Sequence, residues 1–482
     1  MADFFDTSEV LTVLQGFNPW WTERPFAVPK FRRIAYQVCR RYLDDPNSKR
    51  AVLLSGPRRV GKTTILNQIA TSLVEEKHDP RSILYLSLDH PLLKLVSLAK
   101  IIRLYHENVY PTGKPVVLLL DEIQYSSDWE LEIKQLIDHR PEYRILATGS
   151  ATLLHRQRIA ESGVGRWIRV PIPTLSFYEF LQIREEKPPT VPEKSRPIDD
   201  LFGKREGDFA DLASRFRGVQ PLFLRYLLVG GFPETAKQAD ILLCQRLLRE
   251  DVVERVLKRD MTALFGIRKV NELEKLFIYL CLHSGDILGV KTCADALEIS
   301  PATVANHLDA LEAANLIYRL RPASITGRKI LKARDKVYLV DAALRNAVLL
   351  KGEEILTNPQ EMGTIVETTV LRHLYAYYYL DTPEIVYWRD AKTGQEVDII
   401  VRSPSYTLPV EIKYRENAEI TEKAGLVVYC REEKIPKAYW VTLKDRDFSV
   451  VQPHGLETKI LRIPAHIFTY LLGQAERALW LK

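Results

Sequence analysis

The sequence predicts an α/β protein in which a parallel sheet wound with helices is followed by a helical region, a two-helix module and a second α/β domain. Three observations predict it. Short, continuously apolar runs alternate with amphipathic stretches over residues 51–173; a proline-rich, charged break follows; and from about Glu361 a helix precedes several strands rich in Tyr, Val and Ile. Continuous rather than alternating hydrophobicity in runs this short marks strands buried on both faces of a parallel sheet.

The strands expected in the first part are Ala51 to Leu54, Ile83 to Leu88, Val116 to Leu120, Arg144 to Ala147 and Trp167 to Ile172. Pro188, Pro189, Pro192 and Pro197, set among charges, make 185–207 a loop or insertion. Residues 208–282 read as mostly helical. Lys291 to Leu297 and Pro301 to Leu311 read as two helices joined by Glu298-Ile299-Ser300, ahead of a strand-like Leu316 to Leu320. The resulting partition is 1–30, 31–184, 185–207, 208–282, 283–350 and 351–482.

Composition narrows the class. Hydrophobic residues make up 46% and charged residues 27%, which excludes global disorder and a fibrous fold. No apolar run approaches the ~18 residues of a membrane span. The opening Met-Ala-Asp-Phe-Phe-Asp-Thr has acids where a secretory leader would have bases, so a cytoplasmic protein without a membrane partner is expected. Cys39, Cys244, Cys281, Cys293 and Cys430 form no C-x-x-C pair and are expected as buried, reduced thiols. A net charge of +6 permits a nucleic-acid partner without arguing for one.

Gly56-Pro57-Arg58-Arg59-Val60-Gly61-Lys62-Thr63 fits G-x-x-x-x-G-K-[ST] between a strand and a helix, and Thr64 extends the candidate binding residues. Glycines let backbone N–H groups close around a phosphate, and the helix N-terminus adds positive potential. The cofactors expected are ATP and Mg²⁺: Lys62 reaches the β- and γ-phosphates and Thr63 offers its hydroxyl to Mg²⁺. The apolar run 116–120 ends in Asp121-Glu122, where Asp121 would hold the magnesium and Glu122 would orient and deprotonate the attacking water. A kinase is disfavoured because its glycine-rich loop and lysine sit on different elements. No N-K-x-D sequence supports a GTPase.

With these residues in place, the chain resembles the AAA-plus ATPases. Ala147-Thr148-Gly149-Ser150 matches the family's γ-phosphate sensor position, with Ser150 or Thr148 as the sensor. Gly165-Arg166 matches the place of an arginine acting on a neighbouring copy's ATP, with Arg156 and Arg158 as competitors; Arg166 in that role implies a homo-oligomer. Asn18-Pro19-Trp20-Trp21, Asp121-Glu122-Ile123-Gln124, Pro173-x-x-Ser176-Phe177-x-Glu179-Phe180 and Gly230-Gly231-Phe232-Pro233-Glu234 narrow the resemblance to prokaryotic AAA-plus ATPases with a C-terminal domain of unassigned function. The resemblance implies that Asn18 to Pro29 lies near the adenine, that 208–282 is a helical lid, and that 31–184 is the P-loop core.

Ser300, a natural N-cap, and Pro301, suited to the first helical position, give 283–350 the pattern of a helix-turn-helix, with Leu316 to Arg321 and Arg328-Lys329 as a wing. DNA is the partner this suggests. The second helix shows Thr303, Asn306 and His307 but no Lys or Arg, leaving Arg319, Arg321, Arg328, Lys329 and Lys332 to meet phosphates. In AAA-plus proteins winged helices also contact proteins. Glu367 on a helix, Asp398 on one strand, and Glu411 and Lys413 on the next resemble the PD-(D/E)XK nuclease core. That likeness implies an α/β nuclease-like domain over 351–482 in which Asp398 and Glu411 hold Mg²⁺ with Glu367 and Lys413 beside them, and so either a Mg²⁺-dependent DNA endonuclease or an inactive fold.

Overall fold

The computed structural model describes residues 6–24, 26–126, 129–149, 165–323 and 334–480. These fall into two compact units, divided between Ile172 and Pro173.

The first unit is a five-stranded, all-parallel sheet. Its strands are β1 (Ala51–Ser55), β2 (Ile83–Ser87), β3 (Val116–Asp121), β4 (Tyr143–Gly149) and β5 (Trp167–Pro171), in the order β2-β3-β4-β1-β5. The five expected strands are present, each within a few residues of its predicted limits. β1 is buried at every position, as helix-covered faces require. Helices α1 (Thr7–Phe17), α2 (Ile34–Asp44), α3 (Lys62–Glu75), α4 (Leu98–Asn108) and α5 (Trp129–His139) accompany the strands. This is the α/β layer arrangement of a P-loop domain.

The Asn-Pro-Trp-Trp segment covers the outer edge of β2. The fully buried Asn18 side chain donates to Tyr85 O at 2.9 Å and accepts from Tyr85 N at 2.7 Å, as an extra strand residue would. The indole N–H groups of Trp20 and Trp21 both donate to Ile83 O, at 3.1 and 2.9 Å. β2 is three places from β1 in the sheet. Of the segment expected beside an adenine, residues 18–21 are thus edge cover, because a bare strand edge needs its backbone groups paired. Its far end does approach the P-loop side: Pro29 O and Phe31 O accept from Gln68 on α3, and Arg33 donates to Val60 O at 2.9 Å.

The second unit opens with α6 (Phe177–Ile183), which carries a capping box. Ser176 Oγ accepts from Glu179 N, and the Glu179 carboxylate accepts from Ser176 N, both at 3.2 Å. The helical region contains α7 (Glu206–Phe216), α8 (Gln220–Val229), α9 (Pro233–Lys237), α10 (Ile241–Leu247), a run with π winding from Leu248 to Asp260, α11 (Met261–Phe265) and α12 (Val270–Leu282). The Gly230-Gly231 pair serves packing: Gly230 ends α8 at φ 75°, and Gly231 N donates to Asp341 Oδ2 at 2.9 Å. A Cβ on Gly231 would press on the Leu175 backbone.

Next come α13 (Val290–Leu297) and α14 (Pro301–Ala313), joined by Glu298 to Ser300, with Ser300 Oγ accepting from Thr303 N at 3.0 Å. An antiparallel hairpin follows, β6 (Ile317–Pro322) and β7 (Lys336–Leu339). The remaining elements are α15 (Ala342–Leu349), α16 (Pro359–Tyr377), β8 (Glu384–Arg389), β9 (Glu396–Ser403), β10 (Tyr406–Lys413), α17 (Gly425–Glu432), β11 (Lys437–Thr442), β12 (Ser449–Val451), β13 (Lys459–Pro464) and α18 (Ala465–Trp480). One mixed sheet gathers the strands in the order β12-β13-β11-β10-β9-β8-β6-β7. The hairpin joins through the parallel pairing of Arg321 and Pro322 with Val386 and Tyr387, so the boundary expected at 350 runs through a continuous sheet. All five cysteines are free and buried, and no helix among the described residues is long and apolar enough to cross a membrane.

Candidate functional site

The loop after β1 is shaped by its backbone. Gly56 must lack a side chain, since a Cβ there would fall on the Ile172 carbonyl. Arg59 and Gly61 take positive φ, 63° and 99°, and Gly61 becomes the N-cap of α3. Bends of this kind turn N–H groups toward a common concavity, and the N-terminus of α3 adds its dipole. Pro57 and Val60 are buried, Arg58 reaches the Tyr125 hydroxyl at 3.3 Å, and Thr64 lies in the first turn of α3.

Lys62 is 6% exposed, and its ammonium donates to Gly56 O at 2.9 Å and Pro57 O at 2.8 Å. Asp121, at the end of β3, accepts on Oδ2 from the Thr63 hydroxyl at 2.7 Å and the Tyr85 hydroxyl at 3.1 Å, and on Oδ1 from the Thr148 hydroxyl. Burial and then Glu122 push its carboxyl above the usual range, against the hydrogen bonds from Thr148 and Thr63 and the charge of Lys62. Glu122 sits at φ 53°, a left-handed conformation uncommon outside glycine and asparagine. Its N–H donates to Thr148 Oγ at 3.0 Å, and its carboxylate accepts from Gln124. Lys62, Thr63, Asp121, Glu122 and Thr148 thus meet at the carboxyl ends of β1, β3 and β4, where ligands of open α/β sheets bind. Exposed Thr63 and its carboxylate partner are oxygen donors of the kind a hard cation such as Mg²⁺ accepts.

Ser150, Arg156 and Arg158 lie outside the described residues. Arg166 donates to both Asp138 oxygens, at 2.8 and 3.0 Å.

A second constellation lies in the C-terminal sheet. Glu367 comes from α16, Asp398 from β9, and Glu411 and Lys413 from β10, as the sequence suggests. The structure adds a group that sequence reasoning missed. Lys336, the first residue of β7 and 3% exposed, places its ammonium 2.5 Å from Glu396 Oε1, 3.1 Å from Glu367 Oε1 and 3.6 Å from Asp398 Oδ1. Tyr338 also donates to Glu367, Lys413 pairs with Glu411, and Asp398 Oδ2 accepts from Ile412 N at 2.8 Å. Glu411 is 5% exposed, and its Oε2 has no hydrogen-bond partner among the described residues. Burial, then the charge of Asp398, push the Glu411 carboxyl up; burial does the same to Glu367, against the attraction of Lys336.

Asp398 and Glu411, the pair expected to hold Mg²⁺, thus stand in one sheet with both lysines beside them. Among the described residues no group of three or more His, Cys, Asp or Glu side chains is arranged to hold a metal ion. The Lys336 ammonium stands among Glu367, Glu396 and Asp398. The only sequence signal was a lysine heading the apolar run Val337 to Val340, a buried charge that demands a partner.

Beside α14 lies a cavity of about 530 Å³ lined by Arg268, Lys269, Glu272, Thr303, Asn306 and His307, among others. Neither ring nitrogen of the buried His307 has a hydrogen-bond partner among the described residues. Arg319, expected to meet phosphates, is instead engaged by Glu312 and by Asp309 at 2.8 Å. Arg328, Lys329 and Lys332 lie outside the described residues.

Comparison with known proteins matches residues 48–181 to the AAA domain, 220–354 to a domain of unknown function (DUF8612) and 362–465 to another (DUF4143). An uncharacterized protein of Methanocaldococcus jannaschii, MJ1637, is 25% identical over 362 residues, 72% of each chain. An uncharacterized protein of Haemophilus influenzae is 26% identical over 380 residues, 77% of this chain and 84% of that one. Among solved structures, the Thermotoga maritima RuvB Holliday junction branch migration motor aligns at 18% identity and a TM-score of 0.27, covering 62% of this chain and 92% of its own. AMPPCP-bound DnaA from Aquifex aeolicus aligns at 18% identity and 0.25, covering 60% and 89%. Likeness at such scores transfers nothing to this chain. The chain carries an AAA-type ATPase domain.

Proposed function

We propose that this chain binds and hydrolyses MgATP at the P-loop, and that turnover switches a C-terminal half that binds DNA without cutting it. The convergence of Lys62, Thr63, Asp121 and Glu122 at adjoining strand ends carries the reading. Lys62 leaves its two carbonyls to neutralise phosphate charge. Thr63 and Asp121 would hold Mg²⁺, which supplies charge neutralisation at the phosphates when bound. Glu122 orients water and takes its proton. Thr148, bonded to both acids' residues, links their positions, and Ser150 or Thr148 serves as the γ-phosphate sensor. Arg166 acts on the ATP of a neighbouring copy, which makes the protein a homo-oligomer. The test is Glu122→Gln: ATP should still bind, while turnover falls by on the order of 10² to 10⁴. Wild-type turnover removes the base from Glu122.

For the C-terminal half, α13, α14 and the β6–β7 hairpin are read as a winged helix. Arg268, beside Thr303 and Asn306, supplies a cation that α14 lacks, with Lys269 nearby in a pair with Glu272 at 2.7 Å. One observation favours a second reading, an ATP-switched protein-contact module: Arg319 is already neutralised by Glu312 and Asp309. Stimulation of ATP turnover by DNA separates the two.

A further inference from the structure

A divalent cation in a nuclease-type centre neutralises acids that would otherwise repel one another in a dry site. In this chain that neutralisation comes from the fold. Lys336 reaches its three carboxylates from β7, and the ladder β7-β6-β8-β9 sets its depth. The hairpin is pinned at both strands: Ala323 N donates to Tyr387 O at 2.7 Å, and the Tyr387 hydroxyl donates to Arg334 O at 2.7 Å. The rings of Tyr338 and Tyr387, at 5.7 and 5.9 Å from the ammonium, add a negative face on two further sides. A buried ammonium is tolerated only with such compensation, and buried carboxylates only with such a cation.

We propose that Lys336 is a tethered counter-cation that stands in the place of the divalent ion, so that the C-terminal sheet keeps its acidic centre closed without metal and cleaves no phosphodiester. This deepens the non-cleaving part of the proposed function. Glu367, Asp398 and Glu411 are then structural partners of Lys336 and Lys413, and the hairpin and the nuclease-like strands move as one body. With the ammonium gone, Glu367 and Asp398 lose that cation and Glu396 keeps only the exposed Arg389, while Glu411 Oε2, without a hydrogen-bond partner among the described residues, offers another oxygen ligand. The emptied centre should recruit a hard divalent ion.

The experiment uses the full chain without nucleotide. Fe²⁺ with ascorbate and peroxide cuts a polypeptide beside bound metal, so the cut positions report the site and are blind to ATP turnover. The wild-type protein should show no cuts beside residues 367, 398 and 411. Lys336→Met, which keeps the bulk and removes the charge, should lower the melting midpoint by on the order of 10 °C. Millimolar Mn²⁺ should restore part of that loss, and Fe²⁺ cuts should appear near 398 and 411. Combining Lys336→Met with Glu396→Gln and Glu367→Gln should restore stability without metal. Cuts at 398 and 411 in the wild type overturn the proposal, as does a Lys336→Met protein with unchanged melting and no gain of metal. Should that variant fail to fold, the wild-type cutting pattern decides alone. Failure of the ATPase reading shows separately, in the turnover of Glu122→Gln.

Discussion

The two units each bury a lysine beside acids at strand ends, and the partners of that lysine set what it can do. Lys62 is held by two backbone carbonyls, Lys336 by three carboxylates. A carbonyl dipole is a modest partner that an incoming phosphate outcompetes; a set of buried carboxylates is not. The first lysine is therefore exchangeable and the second fixed. Arg166 lies between these cases: among the described residues its side chain pairs with Asp138, a surface carboxylate, and such pairs open readily in water.

The largest expected effect tests that intermediate case. If Arg166 leaves Asp138 for a neighbour's ATP, Arg166→Ala should cut turnover by on the order of 10³ with little change in ATP affinity. Mixing the variant with Glu122→Gln should recover part of the activity, because each supplies what the other lacks. An Arg166→Ala protein fully active at every concentration removes both the finger and the homo-oligomer drawn from it.

Next in size is Lys62→Met, which sharpens the contrast between the lysines. It should weaken ATP binding by on the order of 10² or more, because a charge-assisted contact to phosphate is lost. The unfolding midpoint of the nucleotide-free protein should fall by less than in Lys336→Met, since Lys62 hydrogen-bonds two backbone carbonyls and offsets the charge of buried Asp121 only in part. Calorimetry and a thermal melt on the same sample check both. A melting loss as deep as that of Lys336→Met would erase the distinction between exchangeable and fixed.

The same contrast explains what was legible in the sequence. The five strands, the P-loop and the Asp121-Glu122 pair could be read because each is a local pattern: an apolar run of strand length, or residues fixed within one turn. α13 and α14 were legible for the same reason, from Ser300, Pro301 and helical spacing. The centre around Lys336 was not, because its partners come together only through the strand order of a mixed sheet. Glu367 lies 31 residues away along the chain. The four residues carried over from the nuclease likeness do gather; the fifth, which decides their chemistry, has no motif. The edge-covering contacts of Asn18, Trp20 and Trp21 were not legible for a similar reason. Their hydrogen bonds run to the backbone of β2, and a pattern of side chains does not name backbone acceptors.

The smallest expected effect comes from a buried group that is fixed by being neutral. His373 is fully buried; its Nδ1 lies 2.8 Å from Thr369 O, and its Nε2 accepts from Phe177 N at 3.0 Å. The imidazole is thus the neutral Nδ1–H tautomer, and a second proton would turn the acceptor against a donor. Burial, then the adjacent Arg372, hold its pKa well below the ordinary 6.5. His466 is likewise pushed down by burial, to about 4. Unfolded, both bind protons near pH 6.5; folded, only at much lower pH. Between those values the unfolded chain carries more protons, so stability rises with pH. It is fully present above about 6.5 and is lost as pH falls, by up to ~1.4 kcal/mol per pH unit for each histidine. Urea titrations of the wild type at pH 7.5, 6 and 5 should show the midpoint dropping. In His373→Gln the amide oxygen can still accept from Phe177 N–H but cannot titrate, so the fold should persist with a shallower slope. Equal slopes in the two proteins would remove His373 as a carrier of the fall.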